Sequence, residues 1–422
     1  MRVLIISHGH PTLSAGGAER AAYSLFEHLK QHRAVRAAIF ASRATRAQIG
    51  HSAPMGLFRG RRDEPLIAPP DAEWPSLMSL DYNELQRAVQ DLIAWTKPDV
   101  VHVHHFAFWS LDLLEILYRL NMRVIFTFHE YMAICQNLGQ MIKIDRRLCE
   151  TASPAECHGC FPDFTPGQFF LREQIFRTYL SFCDRFIAPS HFLLGRFVNW
   201  GLDPDAAEVV ENPAAPAMIA RGLKMRERTQ NGGEVNGKAG RRIRFGFFGQ
   251  INKFKGVDVL LRAVLLLPAG VRSQIEVGIH GANMEQQEDA FKAEISALIA
   301  SNSDVLSVFG PYDNQRVMEL MSNYDWIVVP SIWWENSPVV IQEAHLAGRP
   351  VLCARIGGMA EKVRENVNGR YFEPGNPSDL ARQLTRIVED GDAPEIDVES
   401  QVAIHSKAVE RHVDIYRMVA SA

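Results

Sequence analysis

The stretch Asp325-Trp-Ile-Val-Val-Pro330-Ser-Ile-Trp-Trp-Glu335-Asn-Ser-Pro338 runs directly into Val339-Val-Ile-Gln-Glu343-Ala-His-Leu-Ala-Gly348. Its first six residues, Asp325 to Pro330, read as a short buried strand. Ser337 is suited to cap a helix, Pro338 to occupy its first position and Gly348 to stop it. Glu335 then lies in the loop before the helix. Glu343 lies inside the helix, about one and a half turns on. A loop at the C-terminal end of a parallel strand, feeding a helix N-terminus, is where open α/β sheets bind ligands, anionic ones especially. Two carboxylates there point to a sugar or nucleotide more than to a core.

Outward from this unit, strand and helix signals alternate. Arg2 to Ser7 is an apolar run, and Ala18, Ala21, Ala22, Leu25, Phe26 and Leu29 follow on one helical face. Asp99–His104, Arg123–Phe128 and Arg185–Pro189 are further strands of the fully buried kind. After Arg242 the alternation restarts with Ile243–Gly249, a helix Val257–Leu267, a strand Ile275–His280, a helix Glu288–Ala300 and a strand Val305–Phe309. The pattern implies parallel sheets covered on both faces. Between the two series, residues Arg221 to Arg242 include the polar, glycine-rich Asn231–Gly240 and read as a mobile connection. The expected organisation is a first doubly wound domain over 1–212, a linker over 213–241, a second over 242–398 and a terminal helix over 399–422 that packs back on the first domain.

A chain of 422 residues with 47% hydrophobic and 22% charged residues is an ordinary globular protein of two domains. Its net charge of −4 argues against a nucleic-acid partner. No acid occurs from Gln31 to Arg62, against seven arginines, Arg33, Arg36, Arg43, Arg46, Arg59, Arg61 and Arg62. This is either a solvated basic face or an attraction to anionic lipid head groups or a pyrophosphate-bearing acceptor. No run of 18 apolar residues exists, so the protein is expected in the cytoplasm, with any membrane contact peripheral. The stretch Gln168–Phe186, with Phe169, Phe170, Ile175, Phe176, Tyr179 and Leu180 among arginines, is the candidate for contact with the inner membrane face; the alternative is a helix packed on its own domain.

In the second domain, the first strand ends in Gln250-Ile-Asn-Lys253-Phe-Lys255-Gly256 before a helix. Exposed amides, a helix dipole and a lysine are the ingredients of a diphosphate site. In the first domain Gly16 and Gly17 sit between strand and helix, where paired glycines allow close backbone approach to a ligand. Their spacing is not that of the dinucleotide fingerprint. His102 and His104 share one face of a strand end, readable as a metal pair or as satisfied packing. Four cysteines fall in one excursion, Cys135, Cys149, Cys157 and Cys160; they read as a closed structural zinc site or as free buried thiols.

The order and spacing of these motifs resemble a retaining glycosyltransferase of family four with the GT-B architecture, two Rossmann-like domains facing a cleft. The residues that carry the resemblance begin with Gly16-Gly17-Ala18-Glu19, Pro98-Asp99-Val-Val-His102-Val-His104, His129, Ala188-Pro-Ser190 and Glu211-Asn212-Pro213. They continue with Gly249, Lys255-Gly256, Glu335 and Glu343-Ala, Gly348-x-Pro350-Val351 and Gly357-Gly358-x-x-Glu361. The resemblance implies a nucleotide-diphosphate sugar donor and a hydroxyl acceptor, one that a lipid could carry, in polysaccharide or glycolipid assembly. It places Lys255 on the donor diphosphate with Gly16, Gly17, Gly249 and Gln250 nearby, Glu343 on the ribose and Glu335 on the transferred sugar. Asn336, Ser337 and Pro338 would line the pocket, and His129 would stand beside the reacting carbon. It also implies same-face attack with the departing phosphate as base, so that neither a protein nucleophile nor a metal cofactor is needed for catalysis. Two positions depart from the family pattern: Gln250 replaces an arginine, and Glu130 replaces the aspartate after His129. On the same two-domain plan, an epimerase, a phosphorylase or a non-catalytic nucleotide-sugar-binding protein are the alternatives.

Overall fold

The computed structural model describes residues 1–14, 16–50, 54–74, 76–145, 147–230, 241–391 and 393–421. The chain divides into two compact units, Met1–Pro216 with His405–Ala422, and Ala217–Ile404. Residues 231–240, expected as a mobile connection, lie outside the described residues.

The first unit is built on strands β1 (Arg2–Ser7), β2 (Ala37–Arg43), β3 (Met55–Leu57), β4 (Pro65–Ile67), a small ribbon of β5 (Ala72–Glu73) and β6 (Met78–Ser79), then β7 (Val100–Val103), β8 (Val124–Thr127), β9 (Arg185–Ala188) and β10 (Ala207–Val209). The main sheet has the order β10-β9-β8-β7-β1-β2-β4-β3, parallel except for β3 against β4. Apolar runs such as Val3–Ile6 are fully buried because helices cover both faces. After β2 on one side of β1, the chain returns to lay β7 on the other, with Ile5 opposite His102. That reversal makes a switch point, a crevice at the strands' C-terminal ends. His8 leaves β1 there, and His104 leaves β7 with its amide bonded to the Ile6 carbonyl at 2.9 Å. The last helix, Val398–Ser421, brings Ala408, Val413, Ile415, Tyr416 and Val419 into one cluster with Val3, Ile5, Phe26 and Phe40.

The second unit repeats the plan with β11 (Ile243–Gln250), β12 (Ile275–Ala282), β13 (Leu306–Gly310), β14 (Trp326–Val329), β15 (Val351–Ala354) and β16 (Gly369–Phe372). Its order is β13-β12-β11-β14-β15-β16, all parallel. The switch point falls between β11 and β14, where Phe245 pairs with Trp326 and Phe247 with Val328. The loops leaving that point are 250–256 and 330–338.

Two local expectations are corrected. Residues Pro216–Gln230 form a helix, although the whole of this stretch falls in the expected linker over 213–241. Pro216 suits a helix start, and the Leu, Lys, Met, Arg and Glu that follow are good helix formers. Gly222, a weak point by propensity, lies where a Cβ would come within 2.7 Å of the Leu346 carbonyl oxygen, so the glycine serves a close approach. At the second position, the helix Val339–Leu346 has Pro338 itself in the cap position and no side-chain cap hydrogen bond. Ser337 is not its N-cap.

Candidate active site

Gly256 ends the loop after β11 with φ of 67°, and a Cβ there would meet the Pro330 carbonyl oxygen at 1.8 Å. The Ile332 amide donates to the Phe254 carbonyl at 2.9 Å. The loops after β11 and β14 are therefore fastened backbone to backbone. We expect Gly256→Ala to cost about 2–4 kcal/mol, because strain and overpacking add; urea denaturation checks this, and a loss below 1 kcal/mol would refute it.

Across that junction the Lys255 ammonium donates to Glu335 Oε1 at 2.5 Å, and the Ser331 hydroxyl donates to the same oxygen at 2.9 Å. Burial alone would raise the Glu335 carboxyl; the Lys255 charge and these hydrogen bonds outweigh it and hold the group below its ordinary value. Trp334 is buried under the loop, while the half-buried Trp333 holds its ring 5.6 Å from the Lys255 ammonium. The backbone of Glu335 is gripped as well: its carbonyl accepts from the Gly358 amide at 2.6 Å. A Cβ on Gly357 would meet that oxygen at 2.5 Å. Glu343, 3% exposed on the helix beyond, has Asn314 Nδ2 at 3.5 Å from Oε1. The amides of Phe254 and Lys255, in the loop before the helix, donate to Asn252 Oδ1 at 3.0 and 3.1 Å. Asn252 also donates to the Gln250 carboxamide oxygen at 3.3 Å. Lys255 thus offers its side chain, not its backbone, to a ligand.

In the first unit a connected set of histidines fills the switch point. His102 is hydrogen-bonded through both nitrogens, to Tyr416 and Thr127, each at 2.7 Å. His104 Nδ1 lies 3.0 Å from His129 Nε2. His8 Nε2 reaches Glu19 Oε1 at 3.2 Å, and Ser14 donates to the same carboxylate oxygen at 2.7 Å. Burial lowers all of these histidines, and their mutual repulsion adds to it: His102 and His104 fall well below 6.5, and His129 falls to about 3. Burial would raise Glu19, but its hydrogen bond and attraction to His8 hold it at about 2. A Cβ on Gly16 would sit 2.0 Å from Glu19 Oε2, whereas Gly17 has nothing within 4 Å. The bare backbone of Gly16 makes room for that carboxylate, and only Gly17 is open to a ligand.

Residues 15–217 match Glycosyltransferase Family 4, and residues 231–402 match glycosyl transferases group 1. The chain belongs to glycosyltransferase family four. It is 30% identical over 210 residues to a D-inositol 3-phosphate glycosyltransferase of Streptomyces griseus, covering 44% of this chain and 43% of that protein. The chain thus matches less than half the length of this curated relative. Among solved structures, Anabaena Alr3699/HepE in complex with UDP is 18% identical, with a TM-score of 0.65 and full coverage of both chains. Sucrose-phosphate synthase from Thermosynechococcus elongatus is 16% identical with a TM-score of 0.68, over 100% of this chain and 99% of that one. These neighbours establish the GT-B fold.

Within this glycosyltransferase the expected site residues assemble unequally. Lys255 and Glu335 are in direct contact, beside Gly249, Gln250 and the run Asn336-Ser337-Pro338 in the second unit. His129, Gly16 and Gly17 belong to the first. Ser331, Asn252, His8 and Glu19 were not singled out as site residues from sequence, although Glu19 stands inside a quoted motif, as does His104, which was read with His102 as a metal pair or satisfied packing. The membrane candidate forms a helix Pro166–Leu180 that buries Phe169, Phe176 and Leu180 and exposes Phe170 and Leu171. No helix among the described residues is long and apolar enough to cross a membrane.

Cys135, Cys149, Cys157 and Cys160 are all free thiols. Among the described residues no three His, Cys, Asp or Glu side chains are placed to hold a metal ion. The four thiols lie close enough to raise one another: Cys135 is raised by Cys160, Cys149 by Cys135 and Cys160, and Cys157 by the other three. Burial and the neighbouring sulfurs push Cys149 up to about 11 and Cys157 up to about 12.

Proposed function

We propose that the protein moves a sugar, with retention of configuration, from a nucleotide-diphosphate sugar to a hydroxyl acceptor in polysaccharide or glycolipid assembly, with no metal needed for catalysis. The observation that carries this reading is the Lys255–Glu335 ion pair at the β11/β14 switch point, one helical stretch from the buried Glu343. Breaking a sugar–phosphate bond builds negative charge on the diphosphate and positive charge on the ring. The Lys255 ammonium answers the first. Glu335, already ionised, suits a hydroxyl of the sugar, and Glu343 suits the vicinal hydroxyls of a ribose. His129, neutral at working pH, suits a hydroxyl contact at the reacting end. In this assignment the departing phosphate takes the acceptor's proton. The Anabaena neighbour has also been solved with UDP-glucose, which supports a uridine nucleotide as the first to try.

A thermal-shift screen with uridine, guanosine and adenosine diphosphate sugars tests the reading. A true donor at a hundred times its dissociation constant adds about 2.7 kcal/mol of stability. A single nucleotide class should raise the melting temperature, and Glu343→Ala should abolish the rise. No rise with any of the three classes would overturn the donor assignment.

A further inference from the structure

Four of the six cysteines fall between β8 and the helix Pro166–Leu180, and the backbone there is shaped around their sulfurs. After Cys135 the chain turns through Leu138, Gly139 and Met141, with φ of 50°, 71° and 49°. The turn curls the amides of Asn137 and Met141 onto the Cys135 sulfur, which accepts from both. Cys149 returns to the same turn: its amide donates to the Met141 carbonyl at 2.8 Å, and Ile142 and Leu148 form an antiparallel bridge. Cys157 and Cys160 stand three residues apart, on one face of the helix Pro154–Cys160. Phe161 and Phe164, just beyond that helix, pack on Phe169 with ring centroids 6.3 and 6.1 Å away. Two sulfurs on a ribbon and two on a helix are thus brought to one place.

Arg172 supplies a second, independent observation. It is 8% exposed, and Nη1 and Nη2 donate to the Ala133 and Met132 carbonyls at 2.9 and 2.5 Å. Its Nε is buried and has no hydrogen-bond partner among the described residues. Burial lowers the guanidinium to about 10, and the groups that pull it back up are Cys135, Cys157 and Glu130, in that order. A buried cation is costly unless an anion answers it, and neutral thiols do not. Four thiolates around a divalent ion carry net negative charge, and their sulfurs accept from backbone amides and guanidinium N–H groups. We propose that Cys135, Cys149, Cys157 and Cys160 bind one zinc ion as thiolates, in a closed structural site that staples this excursion with Arg172 beside it as counter-cation.

Zinc takes thiolates, not thiols, so each of the four sulfurs gives up its proton on binding, including the Cys149 S–H that donates to the Thr151 carbonyl at 3.4 Å. As thiols they have nothing to draw them to a single point, and among the described residues no three are placed to hold an ion. The ion closes the site by bringing each sulfur to about 2.3 Å from itself. An all-sulfur donor set excludes magnesium and calcium, which take oxygen ligands. The staple bears on the crevice of the first unit. The Gly139 amide donates to the Cys135 carbonyl at 3.1 Å, and a Cβ on Gly139 would meet Oε2 of Glu130, the residue after His129, at 1.6 Å. The turn that presents Cys135 is therefore also the bed of Glu130.

The test uses the full chain, produced without a histidine tag in zinc-supplemented medium. Elemental analysis should find about one zinc per chain. Cys157→Ser and Cys160→Ser together should lose it, while Cys353→Ser, in β15 of the second unit, should keep it. Cobalt(II) added to the zinc-free protein should give the intense sulfur-to-cobalt absorption of a tetrahedral thiolate site. A chain purified without zinc, or one that gives no such absorption with cobalt, overturns the proposal. So does iron in place of zinc, or zinc that survives the double substitution. Should the double variant fail to fold, the metal content and cobalt spectrum of the wild type decide. These measurements need neither donor nor acceptor, so their failure is separate from a failure of the transferase reading.

Discussion

Replacing Lys255 with methionine is expected to lower sugar transfer about 100- to 1000-fold, the loss typical of removing one preorganised charge at a developing oxyanion. Methionine keeps an unbranched apolar stem beside Trp333 and deletes only the ammonium. The same substitution leaves Glu335, 6% exposed, without its cation, so its carboxyl should rise from its lowered value and the fold should lose about 1–3 kcal/mol. Glu335→Gln separates the two roles. It releases Lys255 from its carboxylate, so the nucleotide diphosphate should bind at least as tightly as in the wild type while sugar transfer falls. Isothermal titration with UDP, or with whichever diphosphate the thermal screen selects, reads both variants. Equal diphosphate affinity in Lys255→Met and wild type would remove Lys255 from the phosphate site.

Acid should destabilise the protein through its first unit. The sign follows from the direction of the shifts. His129 is lowered from 6.5 to about 3 and His412 to about 4, and both are buried and neutral in the folded chain. Unfolded, they titrate near 6.5, so between the folded and unfolded values the unfolded chain binds more protons. Stability is fully present above about pH 6.5 and drains away as pH falls. From pH 7 to pH 5 each such histidine costs about 2 kcal/mol, about 4 for these two, and His102 and His104 push in the same direction. Glu19, held at about 2, has its own loss from its ordinary value of 4.5 downward, below this window. Urea denaturation at pH 7 and pH 5 measures the slope; a stability flat across that interval would contradict the buried neutral set. His104→Phe and His129→Gln should each flatten it.

Much of this architecture was legible in the chain because the signals are local. Buried parallel strands announce themselves as runs such as Val3–Ile6 and Trp326–Val329, and the position of Glu335 before a helix and Glu343 inside it follows from turn and helix residues. What escaped was set by neighbours distant in sequence. The Lys255–Glu335 pair spans 80 positions and exists because β14 lies beside β11, a pairing that no spacing encodes. His8 and Glu19 meet through the loop after β1, and His104 meets His129 because β7 and β8 are adjacent. Competition among polar groups was equally hidden. Asn252 reads as an ordinary loop residue, yet its carboxamide takes the loop amides of Phe254 and Lys255. The helix Pro216–Gln230 was obscured by the glycine-rich run that follows it.

The contact between Lys255 and Glu335 has one more consequence. A lone lysine in a phosphate pocket would be occupied by whatever small anion the surroundings supply. Here the protein carries its own competitor. An inorganic anion that captures Lys255 strands Glu335 as a buried, unpaired charge, and it brings no hydroxyl to compensate. Only a ligand with an anionic end for the lysine and a hydroxylated end for the carboxylate satisfies both at once. Under the function proposed above, the pair works as a lock with two tumblers, turned together by a molecule that joins phosphate to sugar and resisted by either half alone.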